Sequence, residues 1–284
     1  MKKLLTISLL AITMLPVLKP HTAAAAEAPD IVAPAYAARD VATGKIVFSK
    51  NANTKYPAAS LTKIVTALVV LDTNPDLKKQ VAITKSDQTM GACGRGGGCI
   101  KTKPGVKYTI DALFHAALLP SANNAAAALA RSTGLSTKQF AARMNAKVKA
   151  LGAANSKFYE PTGMNKNNLL TAADYSKIMA AAFANPYLRD IEQKGSYDLV
   201  STNDARYNQT VKNSNKLLAQ DDLTIIGAKT GYLTRYNFAA VLKYNGGREL
   251  SIVVLNEKHM YSAFGDTRNL AIRTQEELSQ IALK

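Results

Sequence analysis

The chain has 284 residues, 47% hydrophobic and 20% charged, with two cysteines and no tryptophan. This is an ordinary globular composition with ample core-forming material. The formal charge of +16 favours anionic surroundings such as wall polymers or lipid headgroups. Nucleic acid is excluded as a partner, because the chain has no zinc-finger spacing, aromatic-interleaved basic patch or lysine block. Metal chemistry is disfavoured too: two thiols and the scattered His21, His115 and His259 make no recognisable ligand set.

Met1-Lys2-Lys3 and the apolar run LLTISLLAITMLPVL, residues 4–18, precede the small residues of HTAAAAEAP. That order reads as a signal peptide over 1–26, with cleavage after Ala26. The alternative, an uncleaved anchor, has an apolar run of only 15 residues to span a bilayer. Losing Lys2, Lys3 and Lys19, with no acid before Glu27, leaves +13 of the +16. Residues 27–284 are expected to form a single domain outside the cytoplasmic membrane. No later segment approaches 18 continuous apolar residues, so membrane association is at most peripheral.

Residues 33–53 predict a β-hairpin around Ala42-Thr43-Gly44. Residues 60–71 predict a helix that is apolar on nearly every side and therefore buried. Cys93 and Cys99, in GACGRGGGCI, predict a small disulfide-closed loop in an oxidising compartment, with a metal site as the alternative. Residues 108–134 predict two helices broken at Pro120. Ser136 caps a helix to Leu151, and Thr171 caps another through Ala184. LTIIGAKTGY, NFAAVLKYN and ELSIVVLNE read as strands, the last two joined by the turn Asn245-Gly246-Gly247. A helix over 262–282 closes the chain and is expected to pack on the sheet. The fold class is therefore α/β (α+β): one antiparallel sheet built from both termini and covered by helices, with a helical lobe inserted.

Three short patterns carry chemistry. Ser60 and Lys63 are three apart, which in a helix puts both side chains on one face. A serine hydroxyl is a weak nucleophile until a base takes its proton, and a lysine serves as that base only when apolar burial lowers its pKa. Leu61, Ile64, Val65 and Leu68 are placed to desolvate Lys63. Ser121-Ala122-Asn123 follows Pro120, where the hydroxyl can relay a proton and the amide can bind a peptide backbone. Ser201-Thr202-Asn203 has the same form but sits in a polar loop, and it reads as a decoy. Lys229-Thr230-Gly231 ends a predicted strand, where a cation and a hydroxyl can hold a carboxylate and a glycine admits substrate as an added strand.

Ser-x-x-Lys, Ser-x-Asn and Lys-Thr-Gly occur in this order in a chain predicted to be exported. With the segments YPAASLTKIVTALVVL, LLPSANNAAAALA and IGAKTGY, the chain resembles low-molecular-mass penicillin-binding proteins of the D-alanyl-D-alanine carboxypeptidase/endopeptidase family. The resemblance runs from about Ala35 to Leu278. It implies a β-lactamase/DD-peptidase-like fold and covalent capture of β-lactam antibiotics. Its substrates would be peptidoglycan stem peptides, cleaved at D-Ala-D-Ala or D-Ala-diaminopimelate bonds without a cofactor or metal.

The resemblance also implies roles. Ser60 is the acylated nucleophile, Lys63 its base and Ser121 a proton relay. Asn123, Lys229, Thr230, Gly231 and Tyr232 bind substrate, with the backbone N–H groups of Ser60 and Tyr232 forming an oxyanion hole. Arg268 is the candidate for an additional carboxylate contact. Asn124 stands where many relatives carry aspartate, and the glycine-rich Cys93–Cys99 loop is expected beside the cleft.

A class A-like β-lactamase and a non-catalytic wall-binding protein are the alternatives. For the former, Glu160 falls between the second and third patterns, but EPTGMN has Glu and Asn five apart rather than four. YEPTGM and the absence of a C-terminal β domain resemble the short endopeptidase branch.

Overall fold

The protein is described here by a computed structural model that covers residues 25–28, 30–96 and 98–283. The predicted signal peptide lies almost entirely outside the described residues. Strands β1 (Ala35–Asp40) and β2 (Ile46–Lys50) form the expected hairpin. Three two-stranded ladders follow: β3 (Tyr56–Pro57) with β6 (Leu169–Leu170), β4 (Gln80–Ala82) with β5 (Lys107–Thr109), and β7 (Ser196–Leu199) with β8 (Gln209–Lys212). Strands β9 (Leu223–Tyr232), β10 (Tyr236–Tyr244) and β11 (Leu250–Glu257) then complete an antiparallel sheet in the order β2-β1-β11-β10-β9. The two ends of the chain meet where β1 pairs with β11, from Ala35 opposite Leu255 to Asp40 opposite Leu250.

Both faces of this sheet are covered, as the near-continuous burial of β1, β10 and β11 requires. Alternation sorts the side chains. Ala35, Ala37, Ala239, Val241, Val253 and Leu255 point into the helical lobe. Tyr36, Ala38, Phe238, Ala240, Ile252 and Val254 face the other way. That second face is closed by the long C-terminal helix α8 (Met260–Ala282), through Ala263, Phe264, Leu270, Ala271 and Leu278.

The lobe between the sheet halves contains seven helices among the described residues. They are α1 (Thr62–Leu71), α2 (Lys85–Met90), α3 (Ile110–Leu118), α4 (Asn123–Ser132), α5 (Thr137–Ala150), α6 (Ala172–Ala182) and α7 (Pro186–Glu192). Their starts follow local chemistry. Ser136 and Gln139 form a reciprocal cap on α5, and Thr109, Thr171 and Asn185 accept backbone N–H bonds at α3, α6 and α7. Helix α1 is buried from Thr62 to Val70, so it runs through the middle of the lobe. The short helices α2 and α7 and the β7–β8 hairpin have no counterpart in the sequence-based reading. Their runs are too short for a periodic signal.

Candidate active site

The Ser60 turn is built by tertiary clamps. The expected helix over 60–71 begins two residues late: Ala59–Leu61 form a 3₁₀ turn, and α1 starts at Thr62. Ala59 sits at φ 48°, a left-handed conformation that costs an alanine about 1 kcal/mol or more and must be imposed from outside. Four contacts surround the turn. Ala58 N–H donates to the Asn168 carbonyl at 2.7 Å, and Asn237 Nδ2 on β10 donates to the Pro57 carbonyl at 2.9 Å. Gly163, at φ 89°, lies so close that a Cβ there would stand 1.9 Å from the Ala59 carbonyl oxygen. Gly231, at the end of β9, approaches from the remaining side, where a Cβ would meet the Ala58 oxygen at 3.3 Å.

Lys63 sits one turn further on and is 1% exposed. Its Nζ lies 2.8 Å from Ser60 Oγ, 2.6 Å from Asn123 Oδ1 and 2.7 Å from the Thr162 carbonyl oxygen. The amide orientation of Asn123 is set independently, since its Nδ2 donates to the Gly91 carbonyl at 3.1 Å. Two of the three lysine partners are therefore pure acceptors. A neutral amine can donate to both and still aim its lone pair at the third, the Ser60 hydroxyl. Burial holds the Lys63 pKa well below its ordinary value; the Lys229 charge lowers it further, and the Glu160 carboxylate works the other way.

The second pattern lies in the break between α3 and α4. Ser121 adopts φ 66°, and its buried Oγ has no partner among the described residues. A buried hydroxyl left without a partner costs stability unless it serves a ligand. Asn123 is the first residue of α4 and is buried beside Lys63. Asn124 closes a two-way backbone clamp: its Oδ1 accepts from Ile100 N–H and its Nδ2 donates to the Ile100 carbonyl, both at 3.1 Å. An aspartate could make only the first of these bonds, which accounts for an amide at this position. Cys93 and Cys99 are disulfide-bonded. The loop they close hangs on the second pattern, because Asn123 N–H also donates to the Gly98 carbonyl at 2.7 Å.

The third pattern ends β9, an edge strand of the main sheet. Thr230 Oγ1 and Ser214 Oγ share a hydrogen bond at 2.7 Å, and Ser214 N–H donates to the Leu119 carbonyl. Ser214 thus ties the second pattern to the third. Lys229 is 1% exposed, and its Nζ donates to the Thr230 carbonyl at 3.2 Å. Burial lowers the Lys229 pKa and the Glu192 carboxylate of α7 raises it; burial in turn raises Glu192. Tyr232 is 56% exposed at the rim and packs on Tyr236, with ring centroids 4.5 Å apart.

These elements enclose one cleft of about 330 Å³, lined by Ser60, Ser121, Asn123, Thr230, Gly231 and Tyr232 among others. Lys63 and Lys229 lie beneath its floor. The Ser201–Asn203 decoy is elsewhere, with Asn203 Oδ1 accepting from Lys107 N–H. Arg268 is held by Asp222 and does not line the cleft, so the expected carboxylate contact from it is corrected. Glu160 spends its carboxylate on its own loop, accepting from the N–H groups of Thr162 and Gly163 and from Asn168 Nδ2. That occupation removes it as a water-activating base of the β-lactamase kind. Sequence reasoning missed Thr162, Gly91 and Ser214. The Pro-Thr-Gly turn marks a tight loop, but no spacing announces that its carbonyl meets a lysine 99 residues earlier.

Known proteins place this geometry. The family described as D-alanyl-D-alanine carboxypeptidase, a serine peptidase family, matches residues 22–259. A D-alanyl-D-alanine endopeptidase of Escherichia coli is 29% identical over 92% of this chain and 84% of its own length. A D-alanyl-D-alanine carboxypeptidase of Mycobacterium tuberculosis is 34% identical over 80% of this chain and 76% of its own. The crystal structure of the Streptomyces K15 DD-transpeptidase superposes with a TM-score of 0.79 at 29% identity, covering 85% of this chain and 96% of that one. The protein belongs to the D-alanyl-D-alanine carboxypeptidase family of serine peptidases.

Proposed function

We propose that the protein is a serine-type D,D-peptidase that cleaves peptidoglycan stem peptides through an acyl-enzyme on Ser60, and that β-lactams acylate the same hydroxyl. One observation carries the reading: Lys63 Nζ lies 2.8 Å from Ser60 Oγ while its other two contacts are carbonyl oxygens. The neutral amine takes the Ser60 proton as Oγ attacks the D-alanyl carbonyl carbon. The resulting oxyanion is held by the N–H groups of Ser60 and Tyr232. Collapse breaks the C–N bond, and Ser121 delivers a proton to the departing amine. Water then cleaves the ester by the reverse sequence. Asn123 binds the substrate backbone, Lys229 and Thr230 hold the terminal carboxylate, and Gly231 lets the peptide lie against the open edge of β9.

Within this class the proposal favours the endopeptidase reaction on crosslinked peptides. The support is the YEPTGM loop and the endopeptidase relative from Escherichia coli, which matches over 92% of this chain. Residues 1–26 act as the export signal in this reading, and 27–284 as the catalytic unit in the cell-wall space. Purified protein given a fluorescent penicillin is expected to carry one adduct, on the peptide containing Ser60. Incubation with muropeptides then separates the activities: conversion of dimers to monomers marks the endopeptidase, and release of free D-alanine marks the carboxypeptidase. A protein that forms no adduct and changes neither substrate refutes the proposal.

A further inference from the structure

The two walls of the cleft differ in character. The β9–α8 side presents Tyr232, Leu233, Tyr236, Met260 and Phe264. The opposite side is the disulfide loop, which presents Gly96, Gly98 and Arg95. Arg95 is the only charged side chain among the residues described as lining the cleft, and none of those residues is acidic. It is exposed and forms no ion pair among the described residues. The one hydrogen bond of its side chain among the described residues runs from Nη2 to the Thr89 carbonyl at 3.3 Å. An arginine guanidinium offers five donors in a planar fork, so nearly all of that capacity is open to a ligand.

The backbone around it is constrained. Ala92, Gly94 and Gly96 have φ of 51°, 75° and 87°, and Arg95 N–H donates to the Ala92 carbonyl at 3.0 Å. The disulfide closes the turn, and the Asn123 and Asn124 bonds to Gly98 and Ile100 fasten its far end to the catalytic wall. Arg95 thus lines the same cleft as Ser121.

Resting on the peptidase reading, we infer that Arg95 is a specificity-determining residue that binds a second carboxylate of the peptide, on the side chain of the residue preceding the acylated D-alanine. The terminal carboxylate is already assigned to Lys229 and Thr230 on the other wall, so a cation here meets a different anion. A peptide laid along β9 runs through the cleft between that strand and the disulfide loop, so the residue preceding the acylated D-alanine passes within the space that Arg95 lines. A bidentate guanidinium–carboxylate pair suits a side chain ending in a free acid and is lost on its carboxamide.

The test uses two D-alanyl peptides that differ only in whether this side-chain carboxylate is free or amidated. Wild type is expected to show a kcat/KM about tenfold higher for the free acid. The ratio falls to near one in R95A and stays intermediate in R95K, and rising salt lowers it in wild type because the pair is solvent-accessible. Fluorescent penicillin labelling at Ser60 verifies that each variant is folded. A wild type indifferent to amidation, or an R95A that keeps the preference, overturns the inference while the peptidase reading stands. A wild type that cleaves neither peptide overturns the peptidase reading itself.

Discussion

Lys63 and Lys229 are both 1% exposed, yet the two regions of the site treat their amines in opposite ways. At the start of α1, Lys63 has two carbonyl acceptors and a hydroxyl around it, while the nearest acid, Glu160, is consumed by its own loop. At the end of β9, Lys229 has one carbonyl partner and the buried Glu192 in its field, a carboxyl that burial itself pushes up to about 8. The first setting favours a neutral base and the second a retained cation. Two identical side chains at equal burial are thus separated by where the countercharge is spent.

The largest expected effect breaks the first region. Lys63→Met removes the proposed base, and the acylation rate by penicillin should fall about 10³-fold. Lys63→Arg should fare no better, since a guanidinium stays protonated. Stopped-flow labelling decides the matter, and near-normal rates in either variant would contradict the assigned role.

Next in size is the clamp that sets the nucleophile's turn. Gly163→Ala puts a Cβ against the Ala59 carbonyl at a left-handed position. A loss of about 3 kcal/mol in denaturant unfolding is expected. An unchanged midpoint would show that the turn shapes itself. A smaller loss, about 2 kcal/mol, should follow from replacing Cys93 and Cys99 by serine, because the closed loop is short. That change should act on the loop wall and spare the Lys63 pocket, as penicillin labelling would report.

The finest test concerns protonation. In the proposed mechanism acylation needs Lys63 uncharged and Lys229 charged, so the rate should climb with pH through the lowered Lys63 pKa. It should then decline as Lys229, pushed down to about 8, loses its proton. Glu192→Gln removes the carboxylate that helps Lys229 keep its proton and should move the alkaline limb to lower pH, by less than about one unit. An alkaline limb that stays in place would assign the decline to another group.

Much of this was legible beforehand. The hairpin over 33–53, the capped helices after Ser136 and Thr171, and the β10–β11 turn each carry a local signal in residue type or period. So do the three patterns, which lie on separate elements and nonetheless line one cleft. The 3₁₀ turn at Ala59–Leu61 was not legible, because alanine has no local preference for φ 48°; the constraint comes from Gly163 and Asn237, far along the chain. Arg268 was misplaced for a related reason: a helix period fixes which face a residue takes, not which acid across the fold will claim it, here Asp222.

By itself the sequence determined the sheet strands and most of the helices, and it marked the candidate reacting groups, since these depend on residue type and near-neighbour spacing. Only the tertiary structure decided that the Lys63 amine would be driven towards its neutral form. The groups that surround its amine, Asn123 and the Thr162 carbonyl, lie 60 and 99 residues away along the chain. An amine's charge state is set by the solvent it loses and the charges it meets, and both exist only once the lobe has closed around it.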